Sequence, residues 1–360
     1  MLSRSFRLAR QFGLWTKVPT APADSILGLN EAFKKATADN KVNLTVGAYR
    51  DENGNPWILP SVKEAIKEFE KSKYNLEYLP INGNAAFIQS ALELAYGKES
   101  TLLAENKIAS IQTMSGCGAI YMGLQFFRQF HKSNVVYYSN PTWPIQQTMA
   151  EFLGFDARPY PYYDPKNISI DFEGMMTTLD EAPESSMVML HVSSHNPTGF
   201  DLSKSQWKDV RDMVIRKKHM PYFDMAYQGF ASGDLVKDSY SLRLFADAES
   251  IPFMLGTSFA KNMGLYGTRT GTFSMNCDSA ENAAAIKSQL NKIARNTWSS
   301  PPMHGSEIAR IILNTKNIRK HWEHDLITMS SRIAEMREAL CVKLEKLGKK
   351  SFFDKNLKFN

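Results

Sequence analysis

A chain of 360 residues with 43% hydrophobic and 22% charged side chains can bury a large core, in one big domain with a smaller one built around it, which excludes disorder and a fibrous architecture. Its formal charge of +6 owes three units to Arg4, Arg7 and Arg10, and the rest carries no clustered Lys/Arg stripe, so no nucleic-acid partner is expected. Cys117, Cys277 and Cys341 are far apart, odd in number and without CxxC or Cys/His spacing, which argues against disulfides and a zinc site and for a reducing compartment.

The opening MLSRSFRLARQFGLW bears arginines and serines, no acid, and a helical amphipathic spacing. Residues 1–16 are therefore expected to be a mitochondrial transit peptide, with an ordinary solvated helix as the alternative. Further on, the Asn-Gly pair of VGAYRDENGNP marks a turn. A strand-like run at residues 108–113 leads into Met114-Ser115-Gly116-Cys117-Gly118, a small-residue turn that opens an amphipathic helix. Free backbone N–H groups and the helix dipole at such a turn make a phosphate seat, although a glycine turn before a helix is more often loop geometry alone. The most apolar helix candidate, residues 119–127, is closed by Arg128, and no apolar run reaches the roughly 18 residues of a membrane span.

Between about residues 134 and 275, short apolar runs (NVVYY, MVMLHV, MPYFD, FMLGTSFA, TGTFSM) alternate with longer amphipathic ones. That alternation predicts an α/β fold, a mostly parallel sheet flanked by helices. Polar and glycine-containing residues follow the ends of these runs, at 196–199, 228–229 and 262–264, which are the carboxyl edges where ligands bind in open α/β sheets. Amphipathic helices are expected over residues 306–347, and the final SFFDKNLKFN has no clear period.

Three of these strand ends bear chemistry-capable side chains. His195-Asn196-Pro197-Thr198-Gly199 follows one run. Asp224 and Tyr227 follow the next, spaced so that both can face one ligand edge, although alone they read as a cap and a core aromatic. In TSFAKNMGLYGTR, Lys261 follows an apolar strand among small residues, with Arg269 eight positions on. A poorly solvated lysine has a depressed pKa and can attack an aldehyde. Together these pieces meet what pyridoxal phosphate requires: an amine, an anion beside the pyridine nitrogen, donors to the phenolic oxygen, a phosphate seat and a flat neighbour for the ring.

The segments VGAYRDENGNP, EYLPINGN, TMSGCGAI, NPTW, SSHNPTGFD, FDMAYQGFASGD, SFAKNMGLYGTR and SSPPMHGSEIA resemble the aspartate aminotransferase family, mitochondrial type, in the fold type I group of pyridoxal-phosphate enzymes. The resemblance spans residues 15–347 and implies a large domain at 57–318, with an N-terminal arm and part of a small α/β domain at 17–56 and an incomplete remainder at 319–360. It implies that Lys261 carries the cofactor and moves a proton at the substrate's α-carbon, that Asp224 faces the pyridine nitrogen, and that Tyr227 and Asn196 face the phenolic oxygen. Trp143 matches the residue stacked on the ring. Ser115, Gly116, Cys117, Ser258 and Arg269 align with the phosphate seat, Cys117 standing where a hydroxyl residue is usual. Tyr78 and Arg295 match residues that act across a homodimer, Tyr78 on the phosphate and Arg295 on the side-chain carboxylate of aspartate or glutamate, while Gly47 aligns with a segment that closes over substrate.

Gln146 stands where the family usually has a histidine supporting the aspartate, which puts the tuning of Asp224 in question. The implied activity is reversible amino-group transfer among dicarboxylic amino and keto acids in the mitochondrial matrix, without a metal. An aromatic-preferring relative shares most of these motifs. The family's arginine for the α-carboxylate lies beyond residue 347, and the four arginines after Arg295 fall in helical segments. A chain binding the cofactor with little turnover is therefore the other expectation.

Overall fold

The computed structural model describes residues 15–22, 27–71, 76–248 and 251–348. The expected transit peptide lies, but for its last two residues, outside the described residues, as does the terminal decapeptide. The chain divides into two compact units, Met1–Pro56 and Trp57–Asn360. The first contains helix α1 (Leu27–Lys35) and the expected turn, where the Asp51 carboxylate accepts from the backbone N–H of Asn53 and Asn55 at 3.0 and 2.9 Å. Gly47 belongs to this unit.

In the second unit α2 (Pro60–Lys71), α3 (Ala85–Tyr96) and α4 (Thr101–Ala104) precede β1 (Ile108–Met114) and α5 (Ser115–Phe130). Then follow β2 (Val135–Asn140), α6 (Pro144–Phe152), β3 (Asp156–Pro161), a small pair β4 (Tyr163–Asp164) and β5 (Ser169–Ile170), α7 (Phe172–Glu181), β6 (Met187–His191), α8 (Lys204–Lys217) and β7 (Met220–Met225). The chain continues through α9 (Tyr240–Ala246), β8 (Met254–Ser258), β9 (Thr270–Asn276), α10 (Ala280–Thr297), α11 (Met303–Asn314) and α12 (Lys316–Lys346).

Among the described residues, seven strands form one sheet in the order β1-β9-β8-β7-β6-β2-β3. The pairs from β8 through β3 are parallel, and β9 runs antiparallel to both β1 and β8. Central strands of such a sheet are covered on both faces, which is why the runs read from the sequence are continuously apolar; β8 is buried throughout. Helix α5 packs on β8 and β9, and α10 on β1. Ile111, Ile120, Met122, Met189, Tyr222 and Phe273 are fully buried in the core between them. The edge strand β3 was not legible in the sequence, because Pro159 and Pro161 and its exposed positions disguise it, as prolines on edge strands do.

The parallel register aligns the carboxyl ends. His191 pairs with Asp224, and Asp224 with Gly256, so the segments that follow β6, β7 and β8 open on the same edge. Helix α12 closes the unit with one buried face, Ile318, Trp322, Asp325, Leu326 and Met329, at the spacing of a helical stripe.

Candidate active site

At that edge lies a cavity of about 190 Å³. Ser115, Gly116 and Cys117 line it from the first turn of α5, Asp224 and Tyr227 from β7 and the turn after it, and Ser258, Lys261 and Arg269 from the end of β8 and the segment to β9. Trp143 and Asn196 complete the set expected from the sequence. The structure thus brings together ten residues separated by up to 154 positions in the chain. His191, Ala226, Ala260 and Tyr266 also line the cavity and were not singled out. The signal that could have found His191 is its place at a strand's carboxyl end, in register with Asp224.

One end is built for an anion. The helix α5 begins with no side-chain cap on its first turn, leaving its amide dipoles directed at the cavity. Beside it the hydroxyls of Ser115 and Ser258 lie 2.8 Å apart, and Arg269 closes the wall, its guanidinium donating to the Tyr266 carbonyl at 3.1 Å. Ser115 and Arg269 hold positive φ values of 61° and 54°, a conformation that costs on the order of 1 kcal/mol in a non-glycine residue. Close approach of the chains here needs Gly271, where a Cβ would come within 2.3 Å of the Thr257 carbonyl oxygen and 2.9 Å of the Ser115 Cα. Burial pushes the Cys117 thiol up, more than the Arg269 charge pulls it down, so it stays a neutral neighbour of the anion seat.

The opposite end is built for a cation. Asp224 is 6% exposed, and burial raises its carboxyl to about 6, against the opposing pull of its hydrogen bond from Gln146. That bond is 3.0 Å long. The same amide nitrogen lies 3.2 Å from His191 Nε2, and the amide oxygen accepts from the Thr142 hydroxyl at 2.8 Å. Gln146 therefore donates to Asp224 as a neutral amide from the position where a histidine is usual. Burial lowers His191 to about 4 and His195 to about 2, so neither imidazole brings a charge to Asp224 at neutral pH. His195 is fixed between Ser139 and Thr198, each at 2.8 Å, and stacks on Tyr162. Among the described residues no salt bridge reaches Asp224.

Between the ends stands Lys261, its ammonium destabilised first by burial and then by the charge of Arg269. Its Nζ lies 5.3 Å from the Tyr266 ring centre. Burial, then the Asp224 charge, pushes the Tyr227 hydroxyl up to about 12, so it is a donor at neutral pH. A buried carboxyl whose charge lacks a cation, an uncapped helix start with two hydroxyls and an arginine, and a lysine with a weakened ammonium fit pyridoxal phosphate group by group.

Two expected residues lie elsewhere in this unit. Tyr78 is 84% exposed, and Arg295, near the end of α10, is exposed with its guanidinium on the Ser299 hydroxyl; neither lines the cavity. Gly47 is described within the first unit alone.

Residues 39–358 match the family described as aminotransferase class I and II. The chain is 45% identical to the cytoplasmic aspartate aminotransferase of Schizosaccharomyces pombe, over 91% of this chain and 80% of that protein. It is 42% identical to the mitochondrial aspartate aminotransferase of Gallus gallus, over 96% of this chain and 82% of the relative. A crystal structure of aromatic-amino-acid aminotransferase from Burkholderia pseudomallei, covalently bound to pyridoxal phosphate, superposes with a TM-score of 0.91 at 36% identity, covering 96% of this chain and 85% of that one.

Proposed function

We propose that this chain, which belongs to the aminotransferase class I and II family, works as an aspartate aminotransferase, exchanging the amino group of aspartate or glutamate for the keto group of 2-oxoglutarate or oxaloacetate. The observation that carries the reading is the placement of Lys261 in one cavity with the anion seat and with a buried Asp224. Bound there, pyridoxal 5′-phosphate supplies the electron sink that makes the α-hydrogen of an amino acid acidic.

The protein's own residues supply the rest. Lys261, whose ammonium is disfavoured by burial and by Arg269, would be the amine that carries the cofactor and the group that moves a proton at the substrate's α-carbon. Asp224, ionised above about pH 6, would hold the proton on the pyridine nitrogen. Tyr227 and Asn196 would donate to the phenolic oxygen, and Trp143 would cover the ring and exclude water from it. The α5 amides, Ser115, Ser258, Arg269 and the Cys117 backbone would hold the phosphate. The cofactor-binding domain is read as residues 57–318.

Tyr78 and Arg295, exposed and away from the cavity, are read as contributions to a second copy's site, Arg295 to the substrate's side-chain carboxylate and Tyr78 to the phosphate. Gly47 is read as part of a segment closing over substrate. Two sites shared across a homodimer follow, and mixing Lys261→Ala with Arg295→Ala chains should restore activity that neither has alone. The Arg-bearing N-terminal segment supports a mitochondrial matrix location; processing in cells that leaves Met1 in place would argue against it.

The deciding experiment is the absorbance of purified, cofactor-loaded protein before and after aspartate is added, with borohydride reduction and peptide mapping on a parallel sample. The visible band should change with aspartate, and the reduced label should sit on Lys261. A label on another lysine, or a band indifferent to aspartate, overturns the reading.

A further inference from the structure

Lys261 stands in a turn, not in a regular element. The turn is closed by the Gly264 N–H on the Lys261 carbonyl at 3.1 Å, and turns owe their rigidity to what packs behind them. Behind this one is Asn262, buried at 3% exposure. Its side-chain amide donates to the Gln228 carbonyl at 3.2 Å, and Gln228 in turn donates to the Leu94 and Leu235 carbonyls at 2.9 and 3.1 Å. The turn with Lys261 is thereby tied to the turn with Tyr227.

The main-chain carbonyl of Asn262 has a partner from far along the chain. It accepts from the indole N–H of Trp322 at 2.8 Å. Trp322 is fully buried on the inner face of α12 and does not line the cavity. One turn along the same face, Asp325 accepts from the Ser61 N–H at 3.0 Å. Leu326 packs so closely on Gly229 that a Cβ there would come within 2.7 Å of its Cδ1. Helix α12 is thus anchored at α2 and pressed against the turn that follows Tyr227, with Trp322 reaching the lysine turn from this fixed base. A leucine or phenylalanine could fill much of this volume, but neither offers the N–H that the indole gives to a buried carbonyl.

We propose that Trp322 is a positioning residue for Lys261: by holding the Asn262 carbonyl, its N–H fixes the peptide that follows the reactive lysine and so sets where the amine stands relative to Asp224 and Arg269. This rests on Lys261 being the cofactor-bearing amine. Loss of the bond lets the turn relax toward solvent, which moves the amine away from Arg269, hydrates it, and misplaces it for proton transfer. The titratable groups that share the cavity with it, Cys117, His191, Asp224, Tyr227, Tyr266 and Arg269, are untouched by a change at position 322.

The test compares Trp322→Phe with the native protein and with Ile318→Ala, a cavity on the same helix face. The first readout is the pH at which Lys261 of the cofactor-stripped protein becomes acylated by an amine reagent, followed by mass spectrometry. Trp322→Phe should raise that midpoint by about half to one pH unit. In the loaded enzyme kcat should fall about three- to tenfold, with the KM for aspartate within about twofold. Ile318→Ala should lower the melting temperature and leave both readouts in place. If Trp322→Phe does not fold, an isosteric benzothienyl amino acid at position 322 removes the N–H alone, and the same shifts are expected.

Unchanged midpoint and kcat in a folded variant, or equal shifts in Ile318→Ala, overturn the proposal. Borohydride mapping separates the two readings. A label away from Lys261 sinks its assignment as the cofactor-bearing lysine, whereas a label on Lys261 with an unmoved midpoint sinks only the role of Trp322.

Discussion

Replacing Gln146 by leucine removes a buried amide of similar volume and isolates what a neutral donor does for Asp224. The carboxyl is 6% exposed and sits at about 6 because burial outweighs the hydrogen bond from Gln146. A hydrogen bond to an ionised group in such a place contributes about 1.5–3 kcal/mol, which converts to about one to two pH units. Without the bond, the Asp224 carboxyl should therefore ionise at about pH 7 to 8. The cofactor's protonated ring is held only by the ionised form, so affinity depends on the fraction of Asp224 that is charged. In the native chain, affinity should climb as pH rises to about 6 and level off above it. In Gln146→Leu the whole rise should move up by the same one to two units, leaving affinity at pH 7 about two- to tenfold weaker and recovering by about pH 9. The assay is titration of stripped protein with pyridoxal phosphate from pH 5.5 to 9.5, read by quenching of tryptophan fluorescence. Superimposable profiles for the two proteins would show that Gln146 does not tune Asp224. A uniform loss at every pH would mean that it only shapes the cavity.

Asp224→Asn should stabilise the stripped protein while abolishing turnover: the raised carboxyl makes a stabilising contribution that is full below the unfolded value near 3.8 and lost as pH rises through about 6. The loss amounts to about 3 kcal/mol at most above that pH. Melting curves at pH 4 and pH 7.5 should accordingly show the variant's advantage at 7.5 only. Arg269→Ala removes a like charge from Lys261, so the amine of stripped protein should become reactive at higher pH, and phosphate affinity should drop about ten- to 150-fold; an unmoved pH of acylation would remove Arg269 from the account of that lysine. Arg295→Asp should shift preference from aspartate toward cationic amino acids by at least about tenfold in relative kcat/KM. An unaltered ratio in a substrate panel would deny that residue a place in specificity.

The residues at the ends of the cavity were legible because each follows an apolar run, and parallel strands place such followers on one edge. Lys261, Asp224 and Asn196 could be read in this way, and Ser115 could be read from the glycine-rich helix start. What binds these residues to one another could not be read. Gln146 only put the tuning of Asp224 in question while its identity alone was known. Its value depends on an amide placed between Asp224, His191 and Thr142, and that placement follows from how α6 packs, not from any local pattern. His191 depends likewise on strand register, and Trp322 on a contact across 60 positions.

A common physical logic explains the division. The charged ends of this site are electrostatically disfavoured: among the described residues no salt bridge reaches the buried Asp224, and the ammonium of Lys261 is opposed by burial and by Arg269. A bound ligand with a ring cation, an aldehyde and a dianionic phosphate relieves each mismatch, which is why sequence chemistry alone could suggest the ligand. The supporting groups are uncharged, a Gln amide, the His191 imidazole held neutral beside it and an indole. They aim the charged groups without neutralising them, since a buried counter-ion in place of any one would weaken the demand for the cofactor.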